Sequence, residues 1–401
     1  MRSADFLRLW LANGLWWFSM WMEMVVFGWL ALTLTNSAWW VAFVAFSRSA
    51  PSAIIGVFGP IVTERFLRRH VILTLQTVNL CGVGTLGVLL AYDALQYWHL
   101  ATVALLNGCA WALDWPTRRA LIPDLVGKVR VVDGMMLENI LQSVARLLGP
   151  LVAGVTMERL GAGSAIWTLF AISGVAVIIL SGVSTDSRSP SPPLGIGDSL
   201  RRMREGITFV RDNRPVFGVL LITVIMNAWS FPFQALLPVF ARDVLQQGPM
   251  GLGLLGSANG VGALLGLLLV HFSRRRWNNQ WIFSAGSLLT CVGLCVFSVS
   301  ELFSLSLIAL LISGCGQAGF STMQSSVLLV ESPDHMRSRT MSALVLAIGF
   351  GPLGKIQSGV MAVAWGAPLA VGGMAASAFV ATALVMVFLG GFLASSARPS
   401  H

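Results

Sequence analysis

At 401 residues, with 56% hydrophobic and only 11% charged residues, the chain lies outside the composition of water-soluble globular domains. Its formal charge of +9 does not point to nucleic acid, because the arginines sit in short clusters between apolar runs, where lipid headgroups would meet them. The 41 glycines, spread through those runs, suit closely packed membrane helices. The expected class is an all-α integral membrane protein.

A helix needs about 20 apolar residues to cross a bilayer. On that rule the first half predicts spans near 9–33, 39–62, 71–92, 99–119, 134–157 and 163–184. The first run is too long for the apolar region of a cleavable signal peptide. A polar stretch, Thr185 to Arg214, follows: a Ser/Pro-rich tract with Pro190, Pro192 and Pro193, then a basic segment from Gly197 that reads as a short amphipathic helix on the membrane surface. The second half predicts spans near 215–240, 250–272, 279–299, 303–330, 340–364 and 367–394. The expectation is therefore twelve transmembrane helices in two six-helix bundles, 1–184 and 215–401, joined by a cytoplasmic linker, 185–214.

Lys and Arg placement sets the orientation. Arg2 and Arg8, Arg65 to Arg69, Arg118 to Arg130, the linker arginines, Arg274 to Arg276, Arg337 with Arg339, and Arg398 all fall on one side. That side is predicted to be cytoplasmic and to hold both termini. The halves also echo each other. Glu64 to Arg69 returns as Val270 to Arg275, and Gly149-Pro150-Leu151 returns as Gly351-Pro352-Leu353, which suggests a transporter built from two repeated bundles.

Some motifs lead nowhere. Gly251 to Gly256 and Gly314 to Gly319 match a dinucleotide fingerprint but lack its strand-turn-helix setting, so each reads as a small-residue helix surface. Cys81, Cys109, Cys291, Cys295 and Cys315 all lie in apolar runs without a metal-ligand set and read as small packing residues. No metal, cofactor or ATP site is expected, and no nucleophile-base constellation marks an enzyme.

Ionisable residues inside a span are costly and usually face a cavity or a partner. Four lie near span midpoints: Glu23, Arg48, Arg146 and Lys355, the last being one of two lysines in the chain. Glu23 shares a helical face with Trp16, Ser19, Met20 and Phe27. A carboxylate there can carry a proton; the plainer alternative is a structural pair with Arg48 or Lys355. Arg146 precedes the Gly149-Pro150 bend, so it either meets substrate or bonds carbonyls freed by the proline. If all four charges share one cavity, its field favours an anionic or electron-rich substrate.

Over its whole length the chain resembles the major facilitator superfamily. The tract Gly59 to Arg69 is similar to that family's loop between its second and third helices, with Glu64 where Asp is usual and Leu67 where Gly is common. More narrowly it resembles the branch of secretion effectors that includes the enterobactin exporter. That likeness rests on Asp114, Pro116, Thr117, Arg118, Ala120 to Val126, Ala145, Arg146, Gly149 and Pro150. In the second half it rests on Leu237 to Leu245, Arg337, Arg339, Met341, Ser342 and Pro352 to Gly354. Asp133, Glu138 and Lys355 depart from the branch.

The resemblance implies alternating access in a multi-pass transporter of the bacterial cytoplasmic membrane, working as a monomer. It also implies a cytoplasmic gate, here Glu64, Arg65, Arg68, Arg69, Asp114, Arg118 and Glu138. The expected function is export of a small organic, siderophore- or drug-like molecule by proton antiport. Glu23 is the first coupling candidate and Asp114 the second; Trp16, Met20, Glu23, Phe27, Arg48, Arg146 and Lys355 are the cavity candidates. The alternatives are lipid or lysolipid movement, uptake by the same fold, or a non-transporting scaffold or sensor.

Overall fold

The computed structural model describes residues 3–63, 66–127, 130–184, 210–211, 213–333 and 336–388. The polar linker falls almost wholly outside them, as do Glu64 and Arg65. The described chain is helical throughout. Its helices are α1 Ser3–Thr35, α2 Ala38–Thr63, α3 Arg68–Ala91, α4 Tyr97–Val126 and α5 Val131–Ser181, followed by α6 Arg214–Val244, α7 Pro249–Ser273, α8 Asn279–Ser298 and α9 Phe303–Glu331. After these come α10, made of Arg337–Ile348 and Gly351–Trp365, and α11 Ala367–Phe388. Among the described residues nine helices are long and apolar enough to cross a membrane; α2 and α4 are not among them.

At about 1.5 Å per residue, α5 is roughly 75 Å long, more than twice the hydrocarbon core. It does not run straight. Gly161 has φ 85° and ψ 165°, a conformation open essentially only to glycine. The first arm, 131–160, runs parallel to α1: Glu138 meets Asn13 and Trp17, Leu141 meets Gly14, and Gly149 meets Trp21 and Met22. The second arm, 162–181, runs antiparallel to α1. Ser173 donates to Ser19 at 3.3 Å, and Arg8 donates to the Gly182 carbonyl at 2.6 Å. The chain therefore reverses at Gly161, and both arms pack on α1.

Two compact units divide the chain, Met1–Gly195 with Ala241–Ser257, and Ile196–Phe240 with Ala258–His401. Assignment of 241–257 to the first unit differs from a division between the two sequence halves. Its physical basis is close packing against the first arm of α5. Ser257 Oγ donates to the Leu147 carbonyl at 2.7 Å, and a Cβ built on Gly253 would lie 2.5 Å from the Pro150 carbonyl oxygen. Within this unit Leu9, Ile72, Leu121, Ile122 and Leu180 form a buried cluster. Trp16, Trp17 and Ala145 form a second, bordered by Trp21, Trp111 and Trp115.

In the second unit a core gathers Val219, Ile222, Phe283, Phe320, Met323 and Val327. Helix α6 widens into π-turns at Met226–Ser230 and Phe240–Val244, around Pro232 and Pro238, each of which removes a backbone donor from the ladder. It opens on Asn213, whose side chain accepts from the Val216 N–H, with Pro215 in the first turn.

Gly161→Ala is expected to cost about 1–3 kcal/mol by forcing a side chain into this backbone region. Gly163→Ala, where a Cβ meets only Leu90 at 3.9 Å, should leave stability unchanged or raised. Thermal melts of the two purified variants in detergent test the difference.

Candidate functional site

The charged residues of the first unit fall into two linked groups. Glu23 on α1, 2% exposed, accepts a hydrogen bond from Arg48 Nε on α2 at 3.1 Å. Of the two pairings open to Glu23 in the sequence, the structure makes the one with Arg48. The pair lies on the wall of a small polar chamber lined also by Trp16, Ser19 and Met20 of α1, Gln76 and Asn79 of α3, and Asn107 and Trp111 of α4. The chamber has room for about one water molecule. Arg48 reaches this place because α2 and α4 touch through their backbones: a Cβ on Gly108 would overlap the Arg48 carbonyl. Asn107 is 3% exposed, and both of its side-chain polar atoms lack a hydrogen-bond partner among the described residues, as do Asn79 Oδ1 and Trp111 Nε1.

The second group is a buried chain of hydrogen bonds across four helices. Gln76 of α3 donates to Asp114 Oδ2 of α4. Arg118 donates from Nε to Asp114 Oδ1 at 2.8 Å and from a terminal nitrogen to Asn13 Oδ1 of α1 at 2.6 Å. Asn13 in turn donates to Glu138 Oε2 of α5 at 2.9 Å, and Trp17 Nε1 donates to Glu138 Oε1 at 2.8 Å. The Arg118 guanidinium lies 4.8 Å from the Trp16 ring centroid, within cation–π range. Asp114, Arg118, Glu138, Asn13 and Gln76 are all 5% exposed or less. Gln76 and Trp16 also line the chamber, so the two groups share walls.

The two groups differ in how firmly each acid is held. Asp114 and Glu138 each accept two side-chain hydrogen bonds, whereas Glu23 accepts one. The partner of Asp114 is sealed, Arg118 being 3% exposed at its side chain, while Arg48 is 18% exposed.

The other described residues predicted in the first unit do not line the chamber. Arg146 sits over the Trp21 ring at 5.3 Å. Phe27 is buried but is not a chamber wall, and Lys355 belongs to the second unit. Arg68 pairs with Asp124 and bonds the Ala120 carbonyl at 3.1 Å, tying α3 to α4. Arg69 donates to the Ser181 carbonyl at 2.6 Å. With Arg8 on the next carbonyl, it neutralises the negative end of the second arm of α5.

Sequence reasoning missed Asn13, Gln76, Asn79, Asn107 and Asp124. Four of these are neutral amides, which hydropathy marks only weakly. The available signal was spacing: Asn13 continues the Trp16–Met20–Glu23 face one turn back, and Asn107 and Asp114 lie two turns apart on α4.

Apolar helices of membrane-spanning length, carrying buried charges that neutralise one another, define a multi-pass membrane protein. Solved structures agree on the fold. The bacterial homologue of the human lysosomal transporter Spinster aligns with a TM-score of 0.78 at 14% identity, covering 100% of this chain and 99% of that one. A POT-family peptide transporter gives a TM-score of 0.81 at 11% identity, covering 97% and 95%.

The chain belongs to the transmembrane secretion effector family of the major facilitator superfamily, matched over residues 1–394. It is 23% identical to macrolide efflux protein A of Streptococcus pyogenes over 340 residues, 82% of each chain. It is 20% identical to the staphyloferrin A transporter of Staphylococcus aureus, over 86% of each. To the enterobactin exporter of Salmonella choleraesuis it is 25% identical, over 76% of this chain and 73% of the relative.

Removing one member of a buried ion pair costs about 3–5 kcal/mol because it strands the other charge, whereas removing both is far milder. Asp114→Leu or Arg118→Met alone is therefore expected to destabilise strongly, and the double variant to recover most of the loss. A denaturation cycle over the four purified proteins reads this directly.

Proposed function

We propose that this protein is an alternating-access exporter of the bacterial cytoplasmic membrane, coupled to proton antiport through Glu23. On this reading the chain crosses the membrane twelve times, with both arms of α5 spanning and both termini on the cytoplasmic side. The clustering of Lys and Arg on alternate connections supports that orientation. The macrolide efflux protein and the enterobactin exporter among the relatives support the direction.

The observation that carries the coupling role is the Glu23–Arg48 pair at the chamber wall. Of the three buried carboxylates in the first unit's polar groups, Glu23 has the fewest hydrogen bonds to lose on taking up a proton. Its partner is also the less sealed of the two paired guanidiniums, so Arg48 can turn towards other groups when the pair breaks. Asp114 is assigned a structural role, because protonating it strands Arg118 in a site with no such outlet. Glu138 and Arg118 hold α1, α4 and α5 together on this reading, and Arg68 and Arg69 fix helix ends.

The chamber lining contains one acid and one base, so its charges cancel. Closed, the chamber admits about one water; opened during the transport cycle, it would suit a small organic molecule presenting hydrogen-bond donors or a cation to the Glu23 carboxylate, with aromatic surface against Trp16 and Trp111.

Everted vesicles loaded by an imposed pH gradient test the reading, with a macrolide, enterobactin and staphyloferrin A as probes. The wild type should move at least one probe in a gradient-dependent way. Glu23→Gln should remain folded, by melting temperature, and lose that dependence, while Asp114→Asn should fail chiefly through lowered stability. Undiminished gradient dependence in Glu23→Gln would falsify the coupling role.

A further inference from the structure

A groove in the second unit points to a function separate from the transported substrate. It lies between α7, α8 and α9 and has a volume of about 400 Å³. Its floor is the seam where Gly266 of α7 and Gly286 of α8 pack closely on α9 beside Gly316 and Gly319, and Leu269 and Leu289 form its walls. At one end stand Ser273, Trp277 and Trp281, with the two indole rings 6.0 Å apart and edge-on.

The next feature beyond that end is the turn Arg274-Arg275-Arg276. All three arginines are exposed, and none makes an ion pair among the described residues. Glu331, an acid at the neighbouring end of α9, is engaged by Gln280 at 2.8 Å.

Length and charge together select the occupant. From Trp281 to Leu289 the groove follows eight residues of α8, roughly 12 Å at the helical rise. That is less than half of the ~30 Å hydrocarbon core. A partner's transmembrane helix needs a seam of full membrane depth, whereas a lipid chain entering from one leaflet needs only this much. Tryptophans at the mouth mark the interfacial level, and basic clusters at that level recognise anionic headgroups.

We infer that this groove is a binding site for one anionic phospholipid: an acyl chain lies on the glycine floor, and the phosphate headgroup is held by Arg274, Arg275 and Arg276. The larger groove of the first unit, about 710 Å³ between α3 and α4, makes the contrast. It is lined by Thr77, Thr85 and Thr102 with Trp98 and His99, and contains no arginine.

The test uses the full-length purified protein in detergent, with native mass spectrometry counting bound phosphatidylglycerol and phosphatidylcholine. Acyl-brominated forms of both lipids, in vesicles, report proximity through tryptophan quenching. An arginine at an anionic surface is worth roughly fivefold in affinity. The wild type should therefore prefer phosphatidylglycerol, and Arg274→Gln/Arg275→Gln/Arg276→Gln should cut that preference by at least about tenfold on the same scale.

Ala285→Trp, which places a ring in the groove from an exposed position on α8, should expel both lipids. Thr85→Trp, in the arginine-free groove, should leave the preference intact. Melting temperatures check that each variant is folded. If Ala285→Trp does not fold, the part of the quenching that Trp277→Phe/Trp281→Phe removes decides the matter: it should be larger with brominated phosphatidylglycerol than with brominated phosphatidylcholine in the wild type, and equal for the two in the triple arginine variant. Equal binding of the two lipids by the wild type, an unchanged preference in the triple variant, or displacement of the lipid by inorganic phosphate alone would overturn the inference.

Discussion

Charge cannot be left alone in hydrocarbon, and the first unit is arranged around that constraint. The run from Gln76 through Asp114, Arg118 and Asn13 to Glu138 gives each of its charged groups a protein partner. It also gives α1, α3, α4 and α5 a common register. Apolar packing alone does not supply one, because lipid tails are as apolar as leucine and do not drive helices together. The network fixes where each helix stands along its neighbours, and the Glu23–Arg48 pair inherits its position from that registration.

Backbone proximity does the rest. Gly108 brings the Arg48 peptide against α4, which is why a guanidinium on α2 stands beside Asn107 and across from Glu23. The reversal at Gly161 lets one continuous helical segment pack on α1 from two directions, parallel with its first arm and antiparallel with its second. Arg8 and Arg69 then hold the carbonyls where the second arm ends. Several arginines that read from sequence as gate or headgroup contacts are thus occupied in joining one helix to the next.

Much of the fold was legible from hydropathy, because apolar runs of about twenty residues separated by charges leave few alternatives. The predicted break between 157 and 163 corresponds to the turn at Gly161. The Glu23–Arg48 pairing was legible as one of two options, since opposite charges at similar depth seek each other. The wiring of Asp114 and Glu138 was not. It runs through Asn13 and Gln76, neutral side chains that carry no charge signal and become informative only when their neighbours are known. Arg146 was open between substrate contact and the carbonyls freed by Pro150; the contact found is with the Trp21 ring, an aromatic face that charge and hydropathy do not mark.

The neutral sum of the chamber bears on what the proposed antiporter could carry. Antiport requires proton and substrate to exclude each other from the same site. Were an anion to occupy Arg48, Glu23 would lose its partner and gain reason to take up a proton, so the two would load together and travel the same way. A substrate that instead donates to Glu23 competes with the proton for the same oxygen atoms, and loading one expels the other. The expectation of an anionic substrate depended on Arg146 and Lys355 adding their charge to that of Arg48. Arg48 lies on the wall around Glu23, so exclusion would fall to the carboxylate, and the proposed proton-driven exporter would select for donors.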